Sequence, residues 1–425
     1  MKKMDTEFSL EAVPSSHRKG FWNTLVVMLG LTFFSASMWS GGELGQGLSF
    51  LQFMAIVLAG NLILGAYTGA LAYMASKTGL STHLLARYAF GEKGSYLSSF
   101  MLAFTQIGWF GVGTAMFAVP VQKVTGIDIY ILIAIAGILM TFTAFFGMKA
   151  LAIISFIAVP LISILGGTSV LKATETLGGL EGLLSYEPTE AISLAAALTI
   201  CIGSFISAGT LTPDFTRFAR KKRSAVVATV IAFFIGNTLM FVFGAIGSIA
   251  TGQSDISEVM FLQNLIVPAI IVLGLNIWTT NDNALYASGL GLSNITKIAK
   301  HKIVIFNGII GTIGAMWLYN NFVGFLTLLG SALPPIGAII LADFFILNRG
   351  NYKAFKEMSF KSFNWIAIVA WGAGVAAALW IPGIPPINAL ISSAIVHVAV
   401  TKLVDQVSEK EIVLPNTAHT EKVSQ

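Results

Sequence analysis

The stretch Leu273-Gly274-Leu275-Asn276-Ile277-Trp278-Thr279-Thr280-Asn281-Asp282-Asn283 sets amides, hydroxyls and one carboxyl inside an apolar run, roughly Leu262 to Leu292, of the length that crosses a bilayer. Asn276, Thr279 and Thr280 fall at i, i+3 and i+4, so on a helix their polar groups share one face. Polar atoms in hydrocarbon are costly unless they meet each other, an ion or a ligand. Thr and Asn also hydrogen-bond across neighbouring membrane helices, so this stretch alone leaves packing and ligand binding both open.

Two further runs turn the balance toward a site. Leu29-Gly30-Leu31-Thr32-Phe33-Phe34-Ser35-Ala36-Ser37 and Cys201-Ile202-Gly203-Ser204-Phe205-Ile206-Ser207-Ala208-Gly209-Thr210 each put Gly, aromatics and Ser-Ala in the middle of an apolar span. Both are expected to be interrupted helices. An unwound turn frees carbonyls that must find a partner in hydrocarbon, and a small hard cation such as Na⁺ can be that partner. Carbonyls near Gly30 and Phe33, facing the Thr279 and Thr280 hydroxyls, would form an oxygen cage without any carboxylate. Small residues also permit close helix packing, which is the competing reading of both interruptions.

Thr105-Gln106-Ile107-Gly108-Trp109 places an amide and an indole one helical turn apart in a third run. The candidate ligand groups are then the amides of Gln106 and Asn276, the serines Ser204 and Ser207, and the aromatics Trp109 and Phe205. None is charged. A carboxylate or ammonium solute would want a counter-charge or a helix N-terminus. A flat, neutral heterocycle suits better: it stacks between Trp109 and Phe205, at ~1–3 kcal/mol per base, while the amides offer a donor beside an acceptor to its edge. Nucleobase-like and hydantoin-like solutes both fit this description.

The elements that must position these residues follow from composition. Of 425 residues, 55% are hydrophobic and 11% charged, with a mean hydropathy of +0.80. Soluble domains carry about 25% charged residues, so this chain is expected to be all-α and integral to a membrane. Twelve apolar runs can be counted, at about 21–47, 51–76, 96–122, 128–147, 150–171, 191–214, 224–250, 262–292, 303–319, 322–346, 363–381 and 385–404. With both ends inside, 23 of the 25 Lys and Arg fall in inner loops and tails, and only Lys123 and Lys172 outside; Lys2, Lys3, Lys410 and Lys422 are in those tails. That asymmetry is the positive-inside rule. It also accounts for the net charge of +5 without nucleic acid as a partner. The first apolar run is too long for the core of a signal peptide, so none is expected. Cys201 is the single cysteine, which excludes a disulfide framework.

The remaining candidates read blandly. Asp282 could couple protons, but capping, or pairing with Asn281, Asn283 or a basic group, is preferred. Glu43 sits near the outer end of the first run, where water reaches it. His83 and His397 are read as structural, and the Arg217–Arg223 cluster as an inner stop signal with anionic lipid as a minor contact. The core holds no paired acids, nucleophile–base pair or metal-ligand cluster, so no enzyme is expected. The polar residues gather at one level, unlike the continuous lining of a channel.

Val27 to Trp39, Thr105 to Gly113, Gly203 to Leu211 and Leu273 to Leu285 closely resemble the bacterial cytosine permeases, a branch of nucleobase:cation symporter family one, and the resemblance runs from about Gly20 to Lys402. It implies twelve transmembrane helices in a five-plus-five inverted-repeat transporter fold with two extra C-terminal helices. The chain would divide into a cytoplasmic tail (1–20), a first repeat (21–171), an inverted second repeat (172–346), two added helices (347–404) and a second cytoplasmic tail (405–425). Implied too are alternating access, uptake of cytosine across the bacterial inner membrane, and no obligate protein partner beyond the lipid bilayer. Carried over by position, Trp109 and Phe205 cover the faces of the base, and Gln106, Ser204, Ser207 and Asn276 serve its edge. The coupling Na⁺ maps to the backbone oxygens of Gly30, Phe33 and Asn276 and the hydroxyls of Thr279 and Thr280. A proton as coupling ion, or another neutral heterocycle as substrate, is the alternative.

Overall fold

The computed structural model describes residues 7–321 and 329–413. Among them the secondary structure is helical, and the one bridge between extended residues joins Lys19 to Ala219. Lys2, Lys3 and Lys422 lie outside the described residues.

The helices are α1 (Phe21–Thr32), α2 (Ser35–Gly47), α3 (Phe50–Thr78), α4 (Thr82–Phe90), α5 (Ser95–Thr125), α6 (Ile129–Phe145) and α7 (Met148–Thr176). There follow α8 (Leu194–Thr210), α9 (Thr212–Thr216), α10 (Lys222–Thr251), α11 (Ile266–Thr296), α12 (Lys300–Asn320), α13 (Leu329–Leu347), α14 (Trp365–Trp380) and α15 (Pro385–Val413). Among the described residues, 7 of these are long and apolar enough to cross a bilayer, or 8 when α1 and α2 count as one bent span. The shorter α6, α8 and α14 are also apolar. α11 has 31 residues but its apolarity is diluted by the amides and hydroxyls between Asn276 and Asn283. Large apolar side chains face outward, among them Ile164 at 65%, Ile313 at 82% and Trp380 at 80% exposed; in water that rim would aggregate, whereas lipid tails solvate it.

The interior depends on bare backbone. α5 runs along α11, and α2 along α10. A Cβ on Gly113 would stand 2.4 Å from Asn281 Oδ1, one on Gly41 2.2 Å from the carbonyl oxygen of Phe241, and one on Gly244 1.7 Å from that of Met38. Small residues at such crossings let helices gain dispersion contacts that lipid cannot supply. α13 is interrupted at Leu333, just ahead of Pro334 and Pro335, as expected for rings that cannot donate a helical N–H. One turn further, a Cβ on Gly337 would meet the Tyr67 hydroxyl at 1.7 Å, and that hydroxyl also bonds Thr210 Oγ1 at 2.7 Å.

One expectation is corrected. Gly203 to Ser207 does not interrupt its helix: α8 runs unbroken from Leu194 to Thr210, and the chain kinks only at Leu211, ahead of Pro213 in α9. The Ser204 hydroxyl turns back to the Cys201 carbonyl at 2.9 Å, and a Cβ on Gly209 would press on Thr68 at 3.0 Å, so the small residues serve packing. The described part of the segment before Phe21 is tied to the bundle by backbone bonds. Val13 N–H donates to Gly79 O at 2.9 Å, Lys19 N–H to Phe218 O at 2.6 Å and Arg220 N–H to Lys19 O at 2.8 Å. Arg217, fully buried, donates to the carbonyls of Phe8 and Glu7 at 2.8 Å each and to the Tyr286 hydroxyl at 3.1 Å. At the other end α15 continues to Val413, past the boundary expected at 404.

The histidines are structural partners. His83 lies 3.5 Å from Asp214, which also accepts from the Thr82 N–H at the start of α4. His397 lies 3.5 Å from Asp343, which accepts from Tyr352 at 2.6 Å. Tyr352 stacks on Tyr88 with ring centres 3.9 Å apart, and burial pushes the Tyr88 phenol up to about 12, so it stays a neutral donor to Lys353 O.

Replacing Arg217 by Met should leave the two strap carbonyls without their donor. An unmet buried hydrogen-bonding group costs about 1–3 kcal/mol, so the purified variant should melt several degrees lower, and an unchanged melting temperature would show the strap is held by other contacts.

Candidate functional site

The site forms where one membrane helix stops being a helix. α1 and α2 meet at a bend of 54°. Phe33 has φ −78° and ψ 82°, and Phe34 φ −128° and ψ 133°, both outside the α region. The last regular bond of α1 runs from Phe33 N–H to Leu29 O at 2.8 Å, and bonding resumes with Ser37 N–H to Phe34 O at 3.0 Å. The carbonyls between lose their helical donors. Ser35 and Ser37 at the start of α2 are buried, and their hydroxyls have no hydrogen-bond partner. The local sequence favours this: β-branched Thr32 and consecutive aromatics are indifferent helix formers. The six-residue π turn of α10, Ala232–Asn237, lies alongside, a feature common at functional sites; a Cβ on its Gly236 would stand 2.8 Å from Thr32 Oγ1.

Around the bend lies a cavity lined by Leu31 and Phe34, by Gln106 and Trp109 of α5, by Ser204, Phe205 and Ala208 of α8, and by Thr280, Asn281 and Ala284 of α11. Of its ≈ 370 Å³ of free space, about 30 Å³ admits the centre of a water-sized sphere, enough for a water but not for a ring without side-chain movement. Phe34 governs that room. Its ring stands edge-on to Trp109 at 5.4 Å and to Phe205 at 6.5 Å, and so lies between the two aromatics expected to cover a flat solute. The Gln106 amide nitrogen is buried and unpartnered.

Of the residues expected at the solute, Gln106, Trp109, Ser204 and Phe205 therefore converge, and Thr280 reaches the same space. Ser207 and the Asn276 side chain do not line it. Asn276 Nδ2 turns to the Met240 sulfur at 3.9 Å, leaving its Oδ1 unpartnered. Asn281, Phe34, Leu31, Ala208 and Ala284 were not anticipated. Asn281 is fixed by donating to Phe110 O at 3.1 Å and Thr114 Oγ1 at 3.2 Å. Thr280, Asn281 and Ala284 share one helical face by spacing, rotated from the Asn276–Thr279–Thr280 face.

Of the oxygens expected to hold a cation, the two threonine hydroxyls bond back to their own helix. Thr279 Oγ1 lies 2.9 Å and Thr280 Oγ1 3.0 Å from the carbonyl oxygen of Asn276. Leu31, beside the bend, and Thr280 both line the cavity. Such a set of neutral oxygens fits a hard monovalent ion; a softer metal would call for nitrogen or sulfur donors. Asp282 takes no part in it: its Oδ1 accepts from Thr143 at 2.7 Å, and Lys300 supplies the nearby positive charge. Its partner is thus on α6 rather than Asn281 or Asn283.

Residues 12–405 match the family described as permeases for cytosine/purines, uracil, thiamine and allantoin, and the chain belongs to that family. It is a transporter, not an enzyme. The chain is 55% identical over 402 residues to the cytosine permease of Escherichia coli (strain K12), covering 95% of this chain and 96% of that one. It is 22% identical over 362 residues to the hydantoin permease of Microbacterium maritypicum, covering 76% and 74%. Among solved structures it superposes on Mhp1, a nucleobase–cation–symport-1 family transporter in a closed conformation with bromovinylhydantoin bound, with a TM-score of 0.82 at 20% identity over 94% and 96% of the two chains.

Gly113→Ala tests the seating of Asn281. The added methyl would stand 2.4 Å from Asn281 Oδ1 and must displace it from the cavity wall. We expect transport to fall about tenfold, the effect of ~1.4 kcal/mol, with the protein still reaching the membrane; normal transport would show that Asn281 is not needed there.

Proposed function

We propose that this chain is a secondary active transporter that takes up cytosine by Na⁺-coupled symport through alternating access in a bacterial inner membrane. Twelve spans are proposed from the pair α1–α2, then α3, α5, α6, α7, α8 with α9, α10, α11, α12, α13, α14 and α15, with both termini cytoplasmic by the distribution of Lys and Arg. The observation that carries the reading is the meeting of Gln106, Trp109, Ser204 and Phe205 with Thr280 around a break in a membrane helix. The 55% identity to a cytosine permease supports the choice of solute.

The chain's own residues supply the steps. Rotation of Phe34 opens the space between Trp109 and Phe205 for a planar ring. Gln106 and Ser204 then meet its polar edge, and a solute lacking those groups would leave buried amides unpaired, which is how such a site rejects analogues. The freed carbonyls of Gly30 and Phe33, with the Asn276 carbonyl and the Thr279 and Thr280 hydroxyls, hold Na⁺ and so draw the bend in α1–α2 toward α11. An inward membrane potential adds ~2.3 kcal/mol per charge per 100 mV. The interruption at Leu333 gives α13 a place to bend over the outer approach. Proton coupling would have to work through Asp282, whose Oδ1 bonds Thr143 instead of facing the cavity.

Uptake of labelled cytosine into proteoliposomes, with Na⁺ and pH gradients imposed separately, tests the coupling: accumulation should follow the Na⁺ gradient, and accumulation driven by pH alone would reassign the ion. In the same assay Thr280→Ala should lose most of the Na⁺ stimulation. Trp109→Ala should weaken cytosine binding by about ten- to a hundredfold, the loss of one stacked face, and wild-type affinity would place the base elsewhere.

A further inference from the structure

A buried hydroxyl in a membrane helix normally returns its proton to the carbonyl one turn back, because no water is there to take it. The half-buried Ser163 and Thr174 of α7 do this, each bonded to the carbonyl four residues earlier at 2.8 Å, while the buried Ser169 donates across to Gln263 Oε1 at 2.6 Å. Ser155 does neither. It is 1% exposed, yet among the described residues its Oγ makes no hydrogen bond to its own helix or any other. Instead it points at α1: a Cβ on Gly30 would stand 2.1 Å from Ser155 Oγ. Gly30 is thus a glycine because Ser155 occupies the place of its side chain. Its carbonyl is also the first to lose its helical donor, since Phe34 N–H turns away at the bend. The rest of that face of α7 agrees, because Ala158 and Ile162 pack in one cluster with Phe33 and Met240. α7 packs on both α1 and α11, the two helices that carry the proposed cation ligands.

We propose that Ser155 supplies one more oxygen to the cation at the α1–α2 break. The inference rests on the Na⁺ site proposed for Gly30, Phe33, Asn276, Thr279 and Thr280. A hydroxyl adds a hard, neutral ligand, so affinity rises while the bound site keeps the ion's full positive charge, which a carboxylate would cancel.

The test reads ion binding without transport. Purified full-length protein is titrated with NaCl at constant ionic strength against KCl, without cytosine, and stabilisation is followed by the melting temperature. Ser155→Ala should raise the Na⁺ concentration for half-maximal stabilisation about tenfold while leaving the melting temperature in KCl close to wild type. Ser155→Cys keeps a side chain of the same shape, slightly larger, but offers a soft sulfur; it should shift the midpoint likewise, and serves if the alanine variant does not fold. A packing role alone would lower the melting temperature in KCl and leave the Na⁺ midpoint in place, and that result overturns the inference. Thr280→Ala separates the two layers. If it weakens the Na⁺ response while both Ser155 variants match wild type, the cation site stands and Ser155 is not in it. If wild type itself shows no Na⁺ stabilisation, both readings fall.

Discussion

Hydrocarbon offers a carbonyl oxygen nothing to bond to, and this protein breaks one of its own membrane helices inside that medium. The bend at Phe33–Phe34 removes helical donors from consecutive carbonyls, a cost that only an organised set of partners can offset. What surrounds the bend is such a set: two threonine hydroxyls gathered on the Asn276 carbonyl, unpartnered serines at the start of α2, and a cavity walled by aromatics and amides. The site is therefore the place where the fold's hydrogen bonds are left incomplete.

Keeping such a defect in position requires rigid surroundings. The bend is held from outside by contacts that tolerate no side chain, Gly30 on Ser155 and Gly236 on Thr32, and the cavity wall beside it by Gly113 on Asn281. Each sets a distance by steric exclusion, which suits hydrocarbon, where apolar attraction between helices is matched by attraction to lipid. Polar contacts do the same work at the end of the bundle bearing residues 7–20, where Arg217 gathers two consecutive carbonyls and a phenol around one guanidinium.

Much of this was legible in the sequence, for physical reasons that also mark where reading stops. Apolar run length reflects bilayer thickness, so the helices could be placed, and a Gly with paired aromatics in the first run located the bend. The same signal in the sixth run misled, because Gly, Ser and Ala also serve close packing; only Leu211 and Pro213, eight and ten residues beyond Gly203, mark where that helix stops. Rotation was the other loss. Nearly every residue of α11 from Asn276 to Leu290 is buried, so polarity does not show which face meets the cavity. Thr279 and Thr280 could be grouped from spacing, but that Thr280, Asn281 and Ala284 form the wall while Asn276 turns to Met240 required neighbours distant in sequence. Phe34 was missed because, next to Phe33 at a bend, either ring could have pointed inward.

The contact between Tyr67 and Gly337 bears on how such a molecule can rock. A phenol tip resting on bare backbone, and tied on its other side to Thr210, is a bearing: it fixes one point and leaves rotation about it free. In the alternating access proposed above, α13 would tilt there without sliding, so that motion at one end became an opposite motion at the other, as with a seesaw on its fulcrum. Opening toward one compartment would then entail narrowing toward the other.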